Sequence, residues 1–250
     1  MLKNIDIGLV NYKTPKVTAI CLRHLKEIAP LVNKIWVVDN NSQDESTSII
    51  KKQKFVNLIH RKAKDINGKE AHGKALDVIK EKSKSKYLLI IHTDTFIYNA
   101  DFLKEMTAEF KKEPNLFAIG CLHQIDRGRL RFFYRYVSRL IKFMFRTVVS
   151  KVSNKIRAPK NFKEDYIKTF CALYDLEKLK KLKVDFFSNA NEVPSNNLQK
   201  IMLKKGYQRS IWPASKIFSF MDHVEEATHI ETGMNRKRLR RVSRFNAMTK

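Results

Sequence analysis

Ile35-Trp36-Val37-Val38-Asp39-Asn40-Asn41-Ser42 and Tyr87-Leu88-Leu89-Ile90-Ile91-His92-Thr93-Asp94 share one construction: an apolar run that stops abruptly at a polar cluster. Strands that are apolar on both faces belong in a parallel sheet covered by helices. Working outward, residues 4–10 predict another short strand, ending at Asn11-Tyr12, and residues 55–60 a further one. Val17, Ile20, Leu22, Leu25 and Ile28 predict a helix over 15–29, with Thr14-Pro15 as cap and first turn. Helices are also predicted over 45–53, 74–82 and 100–112, and the polar stretch 62–74 reads as a loop. Strand–helix alternation with short turns predicts an α/β fold, a doubly wound and mostly parallel sheet with helices on both faces.

In such sheets ligands bind at the carboxyl ends of the strands. Asn11-Tyr12, Asp39-Asn40-Asn41 and His92-Thr93-Asp94 all fall there. Asp and Asn also end strands and cap helices as an ordinary matter. Three such clusters within one half of the chain favour a site.

Hydrophobic residues make up 43% of the 250 residues, ample for a packed core. Cys21, Cys121 and Cys171 are far apart in sequence and make neither a zinc nor a disulfide framework, which fits a reducing, cytoplasmic setting. No apolar leader follows Met1, so no secretory signal is expected. The most apolar stretch, within 132–149, is interrupted by Arg135, Arg139, Lys142 and Arg146, so no membrane span is expected.

Charge is unevenly distributed. The chain has 50 basic and 25 acidic residues, net +25. Residues 127–163 hold 12 basic and no acidic side chains, and 232–250 hold 7 basic and none acidic. Two concentrated basic segments point to a polyanionic partner surface, lipid or nucleic acid. Arg131, Arg135, Arg139, Lys142 and Arg146 recur at helical spacing among large apolar residues. That predicts a cationic amphipathic helix, suited to an anionic membrane interface through residues 131–149, with the tail 236–244 adding attraction. The plainer alternative is a domain helix with a core-facing apolar side and solvated arginines. Four segments follow: 1–126, a ligand-binding α/β half; 127–163, the basic helical insertion; 164–231, the second half of the same domain; 232–250, a basic tail.

The clusters resemble family 2 glycosyltransferases of the GT-A fold. Val10-Asn11-Tyr12 resembles the family's opening strand end. Residues Ile35 to Ser46 resemble its Val-Val-Asp-Asn-x-Ser-x-Asp-x-Ser segment. Asn67-Gly68 and His72-Gly73-Lys74-Ala75-Leu76-Asp77 resemble its loop before the donor-site helix, and His92-Thr93-Asp94 stands where its Asp-x-Asp metal motif would be. Phe170 to Tyr174 and Leu198 to Tyr207 resemble a later strand and a helix ending in Gly-Tyr. The resemblance spans roughly 4–230 and is strongest in the first 100 residues. Two departures stand out. His92 replaces the first Asp of the metal motif, and Pro194-Ser195 falls where the family carries an acidic pair.

The resemblance implies an inverting transfer of a sugar from a nucleotide-diphosphate sugar, assisted by Mn²⁺ or Mg²⁺. It places Asn11, Asp39, Asn41, Lys74 and Asp94 at the donor. Asp94, His92 and the late His223 become metal ligands, with His92 inclining the choice toward Mn²⁺. Lys74 is expected at a helix start facing the diphosphate. The general base is expected to be Glu192, with Asp185 second. Combined with the basic helix, this predicts a peripheral enzyme at the cytoplasmic face of a membrane, acting on a lipid-linked, glycolipid or cell-envelope polysaccharide acceptor, with no nucleic acid partner. Two alternatives stay open: a nucleic-acid-binding protein using the basic segments, and a nucleotidyltransferase on a similar sheet.

Overall fold

The structure is a computed structural model that describes residues 2–62, 65, 67–126, 128–152, 162–189, 192–224, 227–233 and 245–249. The basic tail 236–244 lies outside the described residues. The chain divides into two units, Met1–Ile125 with Ile167–Lys250, and Asp126–Tyr166.

In chain order the first unit opens with β1 (Leu2–Asn11), α1 (Pro15–Ile28), β2 (Val32–Asp39), α2 (Glu45–Lys51), β3 (Val56–His60), α3 (Gly68–Lys82), β4 (Tyr87–His92), β5 (Thr95–Ile97), α4 (Asp101–Lys112) and β6 (Leu116–Gly120). The second unit holds one long helix, α5 (Gly128–Val152). The first unit resumes with β7 (Cys171–Asp175), α6 (Leu176–Lys181), α7 (Asn196–Lys204), β8 (Gln208–Ile211), α8 (Ala214–Ile217), β9 (Met221–His223) and α9 (Ala227–Glu231).

Seven strands form one sheet in the order β3-β2-β1-β4-β7-β6-β8, and β5 pairs with β9 in a separate ribbon. β1 runs parallel to β2 and β4, while β7 is antiparallel to β4 and β6. The sheet is thus mostly parallel, as the two-faced apolar strands predict. Ile5, Ile7, Leu88, Leu89 and Ile90 are fully buried, because helices cover both sides. At the amino edge, Asp6 is buried beneath Asn33, Trp36, Ser83 and Ser85, all donating to its carboxylate. That edge is spent on structure, and the opposite edge is left for chemistry.

One boundary differs from expectation. α3 begins at Gly68, not near residue 74. Asn67 caps it, accepting from the backbone N–H of Lys69 (3.0 Å) and Glu70 (3.1 Å). Two polar first turns conceal the helix from hydrophobic periodicity. α1 starts at Pro15 with Thr14 at the cap position, as predicted. Thr14 makes no side-chain cap, and Glu231 accepts from the N–H groups of Lys16 and Val17 instead.

Candidate active site

Parallel registry aligns three strand ends. Asn11 pairs across from Asp39, and Val10 from His92. Tight turns follow, with Lys13, Asn41 and Gln43 all in the left-handed region at φ 52°, 58° and 53°. Non-glycine residues held there cost stability and tend to gather at functional sites.

Asp39 is buried and saturated. Its Oδ1 accepts from Asn11 Nδ2 (2.8 Å) and Ser42 Oγ (2.5 Å), and its Oδ2 from Thr47 Oγ1 (3.1 Å) and the Ser42 amide (3.4 Å). Asn11 Oδ1 in turn accepts from Thr14 (3.3 Å) and Thr18 (3.0 Å). Thr14 Oγ1 lies 3.3 Å from Thr93 Oγ1, the residue before Asp94. A continuous polar network therefore joins the end of β2 to the turn after β4. Asp39 and Asp94 lie on the same edge of the sheet.

Asp94 occupies the turn between β4 and β5. The β5–β9 ribbon pairs Thr95 with His223 and brings a late segment of chain onto that turn. His223 Nε2 lies 3.1 Å from Asp94 Oδ1, and His92 Nδ1 lies 3.8 Å from the same oxygen. His92, Asp94 and His223 each offer one ligand atom, all within 4.8 Å of one another.

Proton bookkeeping sharpens this. His223 Nδ1 sits 2.9 Å from the Gln124 carbonyl, which only accepts, so this nitrogen carries the hydrogen. In the neutral ring, Nε2 then turns its lone pair on Asp94, and that buried atom has no aligned hydrogen-bond partner. His92 Nε2 is 2.9 Å from Thr169 Oγ1, which can hold the ring with Nδ1 toward Asp94. Lone pairs facing one another at these distances call for a proton or a cation between them. The outer partners that orient the imidazoles are the kind that accompany metal-bound histidines.

Burial pushes the His92 pKa down to about 3 against the pull of Asp94, so the ring is neutral near pH 7. Burial works against the Asp94 carboxylate, yet His223 and then His92 outweigh it and hold its pKa well below the usual range. His72, from α3, packs edge-on against His92 at 5.4 Å between centroids, and burial takes its pKa down to about 4.

The other expected residues fall in different places. Asn41 is exposed and accepts from Gln43 Nε2 (3.2 Å). Lys74 is not at the helix start. It lies in the second turn of α3, and its ammonium is held by Glu70 (2.5 Å) and Asp65 (3.3 Å) above the Phe187 ring. The position at the helix start is thus corrected, and the ammonium is paired with two carboxylates. Glu192 is half-buried, with Ser188 Oγ 3.3 Å from its carboxylate, and is not one of the three clustered ligands. Asp185 pairs with the buried Lys80, which lies about 12 Å along α3 from His72 by helical rise, and so stands away from the cluster. Ser195, at the position of the family's acidic pair, is buried at φ 68° ahead of α7.

The sequence did not single out His72, Thr169 or the Gln124 carbonyl as parts of the site. His72 is visible as a histidine opening the His-Gly-Lys motif. Thr169 and a backbone carbonyl carry no sequence signal.

A cleft of about 810 Å³ opens beside the end of β1, lined by Tyr12, Lys13, Lys16, Asp44, Glu231 and Phe245 among others. Asp94 does not line it, so the chemistry is placed by the histidine–aspartate cluster and not by this cleft.

Two solved structures share the fold. One is the mannosyltransferase PcManGT from Pyrobaculum calidifontis in complex with GDP-Man and Mn²⁺, with a TM-score of 0.58 and 15% identity over 85% of this chain. The other is S. aureus TarS 1-349, with a TM-score of 0.54 and 15% identity over 92% of this chain. The chain spans 55% and 63% of the length of these two proteins. No curated protein matches the sequence. Residues 6–182 match the description "Glycosyl transferase family 2", a stretch that holds Asn11, Asp39, His92 and Asp94. By that match, over well more than half its length, the chain belongs to glycosyl transferase family 2.

Proposed function

We propose that the chain transfers a sugar from a nucleotide-diphosphate sugar to an acceptor hydroxyl, with inversion, using a divalent cation held by His92, Asp94 and His223. The single observation that supports this most is the convergence of His92, Asp94 and His223, with one ligand atom from each within 4.8 Å and His223 Nε2 buried 3.1 Å from Asp94 Oδ1. Two imidazoles with one carboxylate suit Mn²⁺ better than Mg²⁺, which prefers oxygen ligands alone. When bound, such an ion supplies Lewis-acid charge against the negative charge that builds on the leaving diphosphate.

The chain's own groups account for the rest. The Asp39–Asn11 network fixes the turns beside which the nucleoside is received, with Asn41 reaching out from one of them. Tyr12, 41% exposed at the cleft, offers a face for a base. Asp77 accepts from the amides of Phe186 (2.7 Å) and Phe187 (3.0 Å), and so fastens these two residues onto α3. We assign Glu192 as the base that takes the acceptor proton, since Pro194-Ser195 offers no carboxylate. The acceptor in this reading is a lipid-linked, glycolipid or cell-envelope polysaccharide hydroxyl, met at the cytoplasmic face of a membrane.

Thermal-shift screening of nucleotide sugars with and without Mn²⁺, followed by assays of donor hydrolysis, tests the reading. A stabilising donor that needs Mn²⁺, with turnover abolished by a chelator, is the expected result. Metal-independent turnover would overturn it.

A further inference from the structure

In α5, side chains at 100° per residue sort onto three faces. Phe133, Tyr134, Ile141, Met144, Phe145 and Val148 fall within one arc of about 120°. Each of these six is between 60 and 71% exposed. Arg131, Arg135, Lys142 and Arg146 occupy the adjoining arc and are also exposed. The third face is covered within the same unit: Phe162 packs on Tyr136 (5.5 Å) and Phe143 (5.3 Å), and Glu164 pairs with Arg139 (2.5 Å). Phe162 and Glu164 thus cover one side of the helix, while the apolar strip is exposed.

A continuous apolar strip of this length is rare on a soluble surface and marks an interaction site. No helix among the described residues is long and apolar enough to cross a membrane. The occupant must accept apolar side chains and, alongside them over the same length, a row of cations. No acidic residue occurs between 127 and 163. A second copy would bring two cationic rows together. A nucleic acid would neutralise the cations but leave the aromatic and aliphatic side chains in water. An anionic bilayer interface offers acyl chains and phosphates side by side along the whole helix.

We propose that α5 is an in-plane membrane helix, its Phe133–Val148 strip seated among acyl chains and its four exposed cations on the headgroups of an anionic bilayer. This stands on α5 alone and does not depend on the catalytic reading.

Flotation of the whole chain with vesicles tests it, using pure phosphatidylcholine against phosphatidylcholine with 30% phosphatidylglycerol. The chain should float with anionic vesicles, and apparent affinity for neutral ones should be at least about tenfold weaker. Replacing Phe133, Met144 and Phe145 by Ser should lose flotation at physiological salt while the cations and the basic tail remain. Replacing Arg131, Arg135, Lys142 and Arg146 by Gln should weaken the preference for anionic vesicles, the basic tail retaining a part of it. Donor hydrolysis without vesicles should be unchanged in both variants.

A second measurement does not depend on the variants' folding as designed. All three native cysteines are buried, so Met144→Cys gives one accessible thiol for an environment-sensitive dye. Its emission should shift to the blue with anionic vesicles. Any of four outcomes overturns the proposal: flotation of the triple Ser variant like the parent, equal recovery on both vesicle types, no blue shift, or RNA or self-association that replaces vesicle binding.

Discussion

His223 Nε2 faces Asp94 Oδ1 at 3.1 Å, a meeting produced by the β5–β9 ribbon. Asp94 sits in a turn of the first half of the chain, and His223 comes from its last eighth. Their approach turns a strand-end carboxylate into one member of a three-point site. His223→Gln keeps a polar side chain but withdraws the imidazole lone pair. Calorimetry should then show Mn²⁺ affinity at least about tenfold weaker, with little change in the far-UV spectrum.

Thr169 acts through His92. Thr169→Val preserves shape and removes the hydroxyl 2.9 Å from His92 Nε2. The ring then loses its orientation and not its ligand atom. Mn²⁺ affinity should fall about tenfold with the melting temperature nearly unchanged. An unaltered affinity would show that His92 needs no such support.

Asp39 ties β2 to the Asn11 turn. Asp39→Ala takes the acceptor from the hydroxyls of Ser42 and Thr47, while Asn11 Nδ2 keeps the hydroxyls of Ser42 and Ser46. Leaving these two hydroxyls without their carboxylate should cost about 1–3 kcal/mol, read as a lower urea midpoint. A midpoint within error of the parent would mean that water replaces the carboxylate without loss.

Asp77 gives a pH signature. Burial raises its pKa from the usual 3.8 to about 6, despite hydrogen bonds from the Phe186 and Phe187 amides. Between these values the native state keeps a proton that the unfolded chain has released. The associated stability is present below pH 4 and is lost as pH rises through 6. The stability of the parent relative to Asp77→Asn should therefore fall between pH 4 and pH 7, by up to about 3 kcal/mol. A flat difference, or one that grows with pH, would contradict the shift.

Gly73 marks where the same segment touches α3. A Cβ there would lie 3.0 Å from Phe187 Cβ and 3.2 Å from its Cα. Gly73→Val should push the 184–187 segment away and lower transferase turnover about tenfold or more through misplacement of the acceptor side, while Mn²⁺ binding persists. Loss of both together would point to a general folding defect.

Much of this was legible in the sequence because parallel strands buried on both faces are written as uninterrupted apolar runs. Val37-Val38-Asp39 and Ile90-Ile91-His92 announce both the strand and its polar end. Registry then puts those ends side by side without further information. His223 was legible only through the family resemblance, because a three-residue strand pairing at long range has no periodicity to detect. The first turns of α3 were hidden for a different reason: their capping depends on Asn67 and Gly68, residues that also spell loop. Lys74 was misplaced in consequence, since its role followed from where the helix began. Tautomer control by a Gln124 carbonyl cannot be read from side-chain identities at all.

The most direct test of the central claim is titration of Mn²⁺ into the parent and into Asp94→Asn, which keeps the size of the side chain and removes its charge. One ion should bind per chain in the parent, and affinity should fall at least a hundredfold in the variant, together with donor hydrolysis. Equal Mn²⁺ binding and equal turnover in the two proteins would contradict a metal site built from His92, Asp94 and His223.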